Sequence, residues 1–558
     1  MSENDVPTFN VRAGGEARTA PFAMGGAYEG ADRLGRELAT WSPVIKPPDA
    51  EITPRDKLQM DGRGRDLIRN SGLVQGASSI HKDSIVGAMF RLNAKPLYRV
   101  LGFDKKWSDE FAREVESKFT LYAESQDNWL DAARMNGLTM QVRLAIAGFF
   151  SVGEVLATVE WMRDTPRPYQ TALQMIDPDR LSNPNAQIDS TELRHGVYQN
   201  RYGAPTAYSI RMAHPYDPFA MAETHSWKRV SARKTWGRVQ VLHLIEQARS
   251  NQTRGVAEMV SVLKEMRMTK KFHEITLQNA IVNASYAATI ESELPPDQAF
   301  DSIGATPGEA PAKLGYATQL LQSIAAYSDG SRNLEIDGVK IPHLFPGTKL
   351  NLHRAGGAAG VGEAFEQSLL RYVASALGLS YEQFSRDYTK TNYSSARASM
   401  NETWKYMQSR KKVVADRYAS AAFVLWLEEA INRRLIESLP RGFNLYEGQN
   451  KDAISACQWI GASRGQVDEL KETQAAVLKI NAGLSTWEKE CARLGDDFRD
   501  TFEQLASERT MMAELGLAFN TAPVKSGTMS AQRNSADNGG GGESTADDSA
   551  ETTGDTEE

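Results

Sequence analysis

Hydrophobic positions recur at helical spacing over residues 401–434, and no Pro or Gly interrupts this run. At about 1.5 Å per residue, a helix of that length spans roughly 50 Å, more than the diameter of a small domain. A shorter helical pattern covers residues 365–378, and the polar segment 379–399 separates the two. Together the three patterns predict an extended part of a larger assembly, with a mobile polar loop beside the long helix.

The amino-terminal half predicts helices first and strands second. Helical periodicity covers residues 56–91 and 106–146. Five short runs rich in β-branched and aromatic residues follow, with turn residues between them: 152–161, 171–176, 196–203, 206–212 and 238–245. No helical pattern separates these runs, so we expect an antiparallel sheet and an α+β fold that is predominantly helical.

The rest of the chain predicts further helices around one loop-rich insertion. A second long helical pattern, 255–290, ends before Pro295 and Pro296. Residues 297–360 are rich in Gly and Pro and predict a small α/β insertion. After Arg434 the pattern is largely helical to about residue 517. Residues 1–40 carry little periodicity and predict a flexible arm.

Charge is concentrated at the carboxyl-terminal end of the chain. The formal net charge is −7, and residues 521–558 contribute −6 of it through eight acids and two bases. This tail also contains a run of four glycines, so we expect it to be disordered. The other residues are close to neutral, so composition alone predicts no nucleic-acid-binding footprint.

Cysteine content and hydropathy indicate where the protein is found. Cys457 and Cys491 are the only cysteines in 558 residues, which points to a reducing compartment without a disulfide framework. No apolar run reaches about 18 residues, so we expect no membrane contact. The first residues lack the apolar region of a signal peptide. These features predict a protein that is present in a cytosol or assembled there.

The sequence contains no motif that predicts a catalytic or metal centre. It has neither HExxH nor CxxC, and neither a phosphate-binding GxxxxGKS/T loop nor a GxGxxG that opens a helix. The glycines of residues 355–365 predict a hinge. Ser394 and Ser409 lie near Arg and Lys residues, but polar residues close to a helix start explain them more simply than a nucleophile. We therefore predict no enzymatic activity, no cofactor and no metal.

Three basic clusters have two possible explanations. They are Lys264, Arg267, Lys270 and Lys271; Arg386, Lys390 and Arg397; and Arg410, Lys411 and Lys412. Such runs are often solvated helix faces, although Arg410–Lys412 has few acids nearby to cancel its charge. Four aromatic residues, Tyr381, Phe384, Tyr388 and Tyr393, accompany the second cluster. They either pack the polar segment against its neighbours or help it contact a polyanion.

Eight sequence blocks, in order, resemble the lambda-type family of phage portal proteins. The blocks are RDLIRNSGLVQGASSIHKDSIVGAMFRL (65–92), IDPDRLSNPN (176–185), QTRGVAEM (252–259), LQNAIVNASYAATIESEL (277–294), PHLFPGTKLNL (342–352), FEQSLLRYVASALGLSYEQFSRDY (365–388), YSSARASMNETW (393–404) and LSTWEKECARLGDDF (484–498). The resemblance covers roughly residues 25–515 and leaves out both tails.

The resemblance implies a portal fold with named parts. They are an amino-terminal arm (1–55), a wing of helices and antiparallel sheet (56–250), a first stem helix (251–294), a clip (295–360), a second stem helix (361–377), a tunnel loop (378–392), a tunnel helix (393–437), a wing return with a helical crown (438–520) and the acidic tail (521–558). Such subunits assemble as a ring around a central channel, usually with twelve copies.

The resemblance also implies a function and partners. The ring stands at one capsid vertex of the virion, after assembly in the host cytoplasm, and double-stranded DNA is packaged and ejected through it. The expected partners are the terminase large subunit, the head–tail connector protein and the major capsid protein. The residues expected to face the channel are Tyr381, Gln383, Arg386, Tyr388, Lys390, Asn392 and Arg397, with Lys264, Arg267, Lys270 and Lys271 as basic residues of the stem.

Two other classes of protein remain as alternatives at this point. One is an enzyme that acts on nucleic acid, against which the missing phosphate loop and the missing acidic metal cluster both count. The other is a minor capsid or scaffold-type head protein without a DNA channel. Hydrolysis of ATP by the purified protein without a partner would favour the enzyme. A negative-stain image separates the other two classes, because a ring with a central hole supports the portal and a shell or filament supports the capsid or scaffold protein.

Overall fold

The computed structural model describes residues 40–163, 166–285, 334–336, 339–341, 361–389, 391–465 and 468–517. The predicted arm before residue 40, the acidic tail and most of the predicted clip lie outside these residues. The chain divides into two compact units, residues 1–498 and 499–558, and each is described by itself. In the second unit, the structure describes residues 499–517, which contain all of the helix Phe498–Glu514 except its first residue.

Helices make up most of the described chain. They are α1 Pro48–Glu51, α2 Pro54–Asn70, α3 Gly72–Ile85, α4 Tyr98–Leu101, α5 Lys105–Ala123, α6 Leu138–Val152, α7 Leu263–Ser285, α8 Val361–Ala376, α9 Tyr381–Ser385, α10 Tyr393–Arg410, α11 Asp416–Asn432, α12 Asn450–Ile454, α13 Glu469–Asn481, α14 Trp487–Leu494 and α15 Phe498–Glu514. Their starts follow local chemistry. Thr53 caps α2 by accepting from the backbone N–H of Asp56, and Pro54 occupies the first turn, where no backbone donor is needed.

The strands form small antiparallel sheets. They are β1 Arg91–Ala94, β2 Glu154–Trp161, β3 Thr171–Ile176, β4 Leu193–Arg194, β5 Val197–Gln199, β6 Pro205–Arg211, β7 Trp227–Ser231, β8 Val241–Ile245, β9 Leu334–Ile336, β10 Val339–Ile341 and β11 Cys457–Ile460. The predicted antiparallel pairing is confirmed. However, the strands between β2 and β8 divide into two sheets, ordered β3-β2-β8 and β4-β5-β6-β7.

One strand pair joins distant parts of the sequence. Strand β1 pairs with β11 from Arg91 opposite Ile460 to Ala94 opposite Cys457. The sequence pattern predicts neither strand. Phe90 stacks on Trp459 beside this pair, with ring centroids 5.4 Å apart. The chain therefore returns to its amino-terminal part after the long helix.

The long helical run is continuous from Tyr393 to Asn432, but it is not one regular α-helix. Residues 411–415 form a π-helical turn, in which the backbone N–H of Asp416 donates to the carbonyl of Lys411. After this turn, Tyr418, Phe423 and Trp426 are completely buried. Apolar residues cover this part of the helix on all sides, so it packs inside the core. The expectation that the whole run is too long for a domain core is therefore wrong for its second half.

A buried ionic cluster fixes the entry into α7. Glu154 is fully buried and lies 2.5 Å from Arg254 and 3.5 Å from Lys57. Burial alone would raise the pKa of Glu154, but these two cations hold it well below its usual value. At Gly255 the backbone is so close to Gly153 that a Cβ would lie 2.0 Å from its carbonyl oxygen. Both contacts tie the segment before α7 to the start of β2.

No helix among the described residues has the length and apolar character needed to cross a lipid bilayer.

Candidate functional site

The candidate site is the helix–loop–helix formed by α8, residues 377–392 and α10. Helix α8 packs on α7, and Glu366 accepts from His273 across the two helices at 2.5 Å. One face of α8 is buried and includes Leu370, Val373 and Ala374. This spacing of three and four residues is that of an amphipathic helix packed on one side.

Gly378 ends α8 in a conformation that favours glycine. Its φ is +66°, in the left-handed region, and a Cβ there would lie 2.4 Å from the ring of Tyr406. The tight turn brings the chain directly against α10. Packing of Gly378 against Tyr406 therefore fixes the position at which the loop begins.

The predicted tunnel loop is more ordered than expected, because it contains the short helix α9. Ser380 accepts from the backbone N–H of Gln383, and the Gln383 side chain accepts from the backbone N–H of Ser380. This reciprocal arrangement is a capping box. Phe384 is buried against the core, at 4% exposure. The expectation that the whole segment is a mobile polar loop is therefore wrong for residues 380–385.

Some predicted channel-facing residues have local structural roles. Tyr381 lies under the guanidinium of Arg371, 4.8 Å from the ring centroid, and its hydroxyl donates to Asp387. Gln383 belongs to the capping box. Asn392 caps α10 by accepting from the backbone N–H of Ser395. These contacts explain the positions of the three side chains, and no ligand is needed to explain them.

The exposed tip of the loop carries Arg386 and Tyr388. Arg386 has a φ of +59°, and its side chain makes no ion pair or hydrogen bond with another described residue. Tyr388 is 55% exposed. Arg397 follows on α10, half-exposed and 4.0 Å from Glu472. The side chain of Lys390 lies outside the described residues.

The predicted basic residues of the stem lie on α7. Lys264, Arg267 and Lys271 are exposed, and their spacing places them on one helical face. Lys270 is partly buried and lies 3.8 Å from Glu274, one turn ahead. These four bases lie on a different helix from the loop residues, so the structure does not bring the two groups together in one site.

A buried polar cluster at the base of the loop was not predicted. The Nε2 of His81, on α3, donates to the carbonyl of Leu377 at 3.0 Å. On α10, Tyr406 donates to Glu258, and Arg410 bonds to both Glu258 and Glu246. Except for Glu246, which is exposed at the surface, these groups line a cavity of about 20 Å³. We call this set of five side chains the loop base.

Burial sets the protonation states in the loop base. It lowers the pKa of His81 to about 4, so the imidazole is neutral at pH 7. It also raises the pKa of Glu258, against the hydrogen bond from Tyr406. The loop base therefore holds α3, α8 and α10 together through neutral and paired groups.

Acidic partners neutralise more of the positive charge of the third basic cluster, Arg410–Lys412, than the sequence indicated. Arg410 pairs with two glutamates, and Lys411 is buried with its Nζ 2.6 Å from Asp416. Only Lys412 is well exposed, at 4.0 Å from Asp416. Glu246 and Glu258 come from more than 150 residues away, so the local sequence gave no sign of them.

One cluster among the described residues has the composition of a metal site. Ligand atoms of Asp177, Asp179 and His214 lie within 4.8 Å of one another. However, Arg65 donates to both carboxylates, at 2.9 Å and 2.5 Å. These ion pairs explain why two acids lie together, so the cluster gives no reason to assign a metal.

Known proteins provide a second line of evidence. The family model described as "Phage portal protein, lambda family" matches residues 34–411. Portal protein B of Escherichia phage lambda is 38% identical over 526 residues, 94% of this chain and 97% of that protein. The portal protein of Escherichia phage N15 is 38% identical over 505 residues, 90% of this chain and 93% of that protein.

Among solved structures, the neck of an empty GTA particle computed with C6 symmetry is similar, with a TM-score of 0.40 and 12% identity. The match covers 83% of this chain and 99% of that one. This likeness is too weak to support an argument about assembly or function.

Proposed function

This chain belongs to the lambda family of phage portal proteins and has a phage portal function; we propose that its copies form a ring at one capsid vertex, through which double-stranded DNA enters and leaves. We further propose twelve subunits, assembly in the host cytoplasm and a structural role without catalysis. Family membership favours this function over a minor capsid or scaffold protein.

Exposed apolar residues on the two stem helices support assembly into a ring. Leu277 and Ile281 on α7 are 63% and 59% exposed, and Phe365 and Tyr372 on α8 are 60% and 58% exposed. Large apolar side chains in one region of a surface favour contact with another protein. In a ring, each subunit contacts its neighbour through two different surfaces, and rotation closes the set.

The observation that carries the channel proposal is the exposed tip of the loop on its fixed base. Arg386 is exposed and unpaired among the described residues, while Gly378 and the capping box hold the chain behind it. A ring would present one such arginine per subunit to the phosphates. Few contacts per subunit suit a channel through which DNA slides, because every neutralised phosphate adds affinity.

The remaining parts keep their proposed roles. Residues 295–360 would form the clip and dock the terminase large subunit during packaging and the head–tail connector protein afterwards. Within this segment, the structure describes the antiparallel pair β9–β10. Residues 56–250 would form the wing, which lies towards the major capsid protein.

Charge reversal of Arg386 tests the channel role. We expect Arg386→Glu to lower the amount of DNA packaged by purified procapsids, terminase and ATP by about tenfold, because a ring of carboxylates repels the DNA phosphates. Arg434 is a matched control, since it is also exposed with a positive φ of 57° but lies outside the loop.

We expect Arg434→Glu to package like the unmodified protein. Both variants must give procapsids that contain the portal, which gel analysis of the purified particles checks. Normal packaging by Arg386→Glu procapsids of normal composition would contradict the proposal.

A further inference from the structure

A basic groove lies between the three-stranded and the four-stranded sheet, away from the helix–loop–helix. It has a volume of about 890 Å³ and is bounded by β2, β7 with the turn after it, and the end of α11. Residues 227–238 contribute five bases and no acid. Five exposed bases form its rim: Arg163, Lys228, Arg229, Arg233 and Lys234.

Nearby acids do not cancel the positive charges on the rim of this groove. The side chains of Arg163, Lys228 and Lys234 make no ion pair with another described residue. Arg229 lies over the ring of Tyr198 at 4.1 Å, and Arg233 donates to the carbonyl of Gly237. Neither contact neutralises a charge. The positive charge of all five residues therefore faces outward.

Three acids line the groove, and two of them are buried at its floor and paired with cations. The third, Glu160, is half-buried and among the described residues accepts only from a neighbouring threonine hydroxyl, so one unpaired carboxylate faces five rim bases. Glu428 is buried, 3.4 Å from Arg238 and 3.0 Å from Lys451. Glu429 is also buried and lies 3.0 Å from Arg433. These pairs leave the rim with a clear excess of positive charge, which favours an anionic ligand.

Exposed aromatic side chains lie among these bases. Trp161 is 44% exposed, Trp236 is 57% exposed and Tyr446 is 47% exposed. Trp236 occupies the turn after β7, between Lys234 and the floor residue Arg238. An acidic peptide would satisfy the rim charges but would leave the indole faces unused. A duplex keeps its bases stacked inside and presents mainly phosphates to such a surface.

We propose that the basic groove binds single-stranded nucleic acid, as a site separate from the channel. The phosphates would contact the rim arginines and lysines, and the bases would stack on Trp161 and Trp236. Basic grooves with stacking aromatic residues bind single strands in this way with little sequence preference. The proposal does not depend on Arg386 or on the channel.

Fluorescence anisotropy of the purified full-length protein with a labelled oligothymidylate tests the proposal. We expect the double variant Lys228→Glu/Arg233→Glu to bind at least about tenfold more weakly and to show a shallower salt dependence, because single strands contribute a slope of about 0.7 per phosphate contact. We expect Trp236→Ala to bind about fivefold or more weakly, with an unchanged salt slope, because it removes stacking.

Two matched variants serve as controls. Lys106 is an exposed lysine on α5, and Lys106→Glu should bind the oligothymidylate normally. Arg63 is an exposed arginine on α2 outside both proposed sites, and Arg63→Gln should also bind normally. Arg386→Gln is measured alongside to detect any binding of the oligothymidylate in the proposed channel. All substituted side chains are exposed, and thermal unfolding checks that each variant is folded.

Competition with unlabelled ligands identifies the class of partner. We expect the oligothymidylate to compete better than a duplex of equal length and better than polyglutamate. The proposal is overturned if duplex or polyglutamate competes equally well, if Trp236→Ala binds normally, or if Arg386→Gln abolishes binding while the groove variants retain it.

Discussion

At the scale of single residues, Gly378 has the most demanding role in the candidate site. It combines a positive φ with a backbone that lies directly against the ring of Tyr406. Any other residue at this position would have to adopt an unfavourable backbone conformation, and its Cβ would also collide with the Tyr406 ring. The glycine is visible in the sequence, but the position of Tyr406 behind it depends on how α10 packs, which the sequence pattern did not reveal.

We expect Gly378→Ala to lower the free energy of unfolding by about 2 kcal/mol or more, as measured by urea denaturation. Gly76 provides the control, because it lies inside α3 with nothing within 4 Å of the Cβ position. Gly76→Ala should stabilise the protein by about 0.5–1 kcal/mol. Equal stabilities for the two alanine variants would contradict this account of the turn.

His81 predicts a pH dependence of stability. Its pKa is about 4 in the folded protein and near 6.5 when the chain is unfolded, because burial disfavours the imidazolium. Between these values the unfolded chain binds the additional proton, so the free energy of unfolding falls as the pH falls from 6.5 to 4. The stability contribution of the neutral imidazole is complete above pH 6.5.

We expect His81→Gln to flatten this pH dependence, because the amide can still donate to Leu377 but does not titrate. From pH 7 to 4, the unmodified protein should lose on the order of 3 kcal/mol more than the variant. Asp61, whose pKa burial raises to about 6, acts in the opposite direction but is common to both proteins. Parallel stability curves would disprove the assignment.

At the scale of elements, local patterns predicted most helices and several strands, but not their partners. The run 171–176 coincides with β3, because β-branched and apolar residues between turns specify a strand locally. The division into two sheets depends on contacts between strands. The pairing of β1 with β11 joins residues more than 350 positions apart, so no local signal could indicate it.

The candidate site shows the same limit. The capping box of Ser380 and Gln383 has a sequence signature, Ser-x-x-Gln, but no apolar helical run follows it, so the polar segment around it predicts a loop. The long helix was predicted, whereas its π-helical turn was not, because a π-turn carries no strong sequence signal. The ion pairs of Arg410 come from distant parts of the chain, and only the fold brings them together.

The π-helical turn allows a specific deletion experiment. Such a turn holds one residue more than the α-helical path on either side, so deleting the exposed Lys412 should restore a regular helix with the same faces buried. Deleting the exposed Ser117, inside the regular helix α5 and away from the π-turn, should rotate every later residue of that helix by about 100° and move Phe119 out of the core.

We therefore expect the Lys412 deletion to give folded, soluble protein and the Ser117 deletion to give none. Far-ultraviolet circular dichroism and the yield of soluble protein measure the difference. If both deletions were equally damaging, the π-turn would not be a simple one-residue insertion.

At the scale of the whole molecule, the distribution of charge and of exposed apolar surface fits the proposed assembly around DNA. The first 520 residues are nearly neutral, since the acidic tail carries most of the net charge. Apolar side chains are exposed on α7 and α8, and the loop tip presents an arginine that has no ion pair among the described residues. A neutral body with few cations per subunit suits a channel, whereas the basic groove is a separate surface with a different chemistry.

The central claim is that copies of this chain form a ring whose channel is lined by residues 378–392. Cryo-electron microscopy of the assembled full-length protein tests it most directly. We predict a closed ring with a central opening and with Arg386 of every subunit facing the axis. A particle without a central opening, or a ring with Arg386 on its outer surface, would contradict the claim.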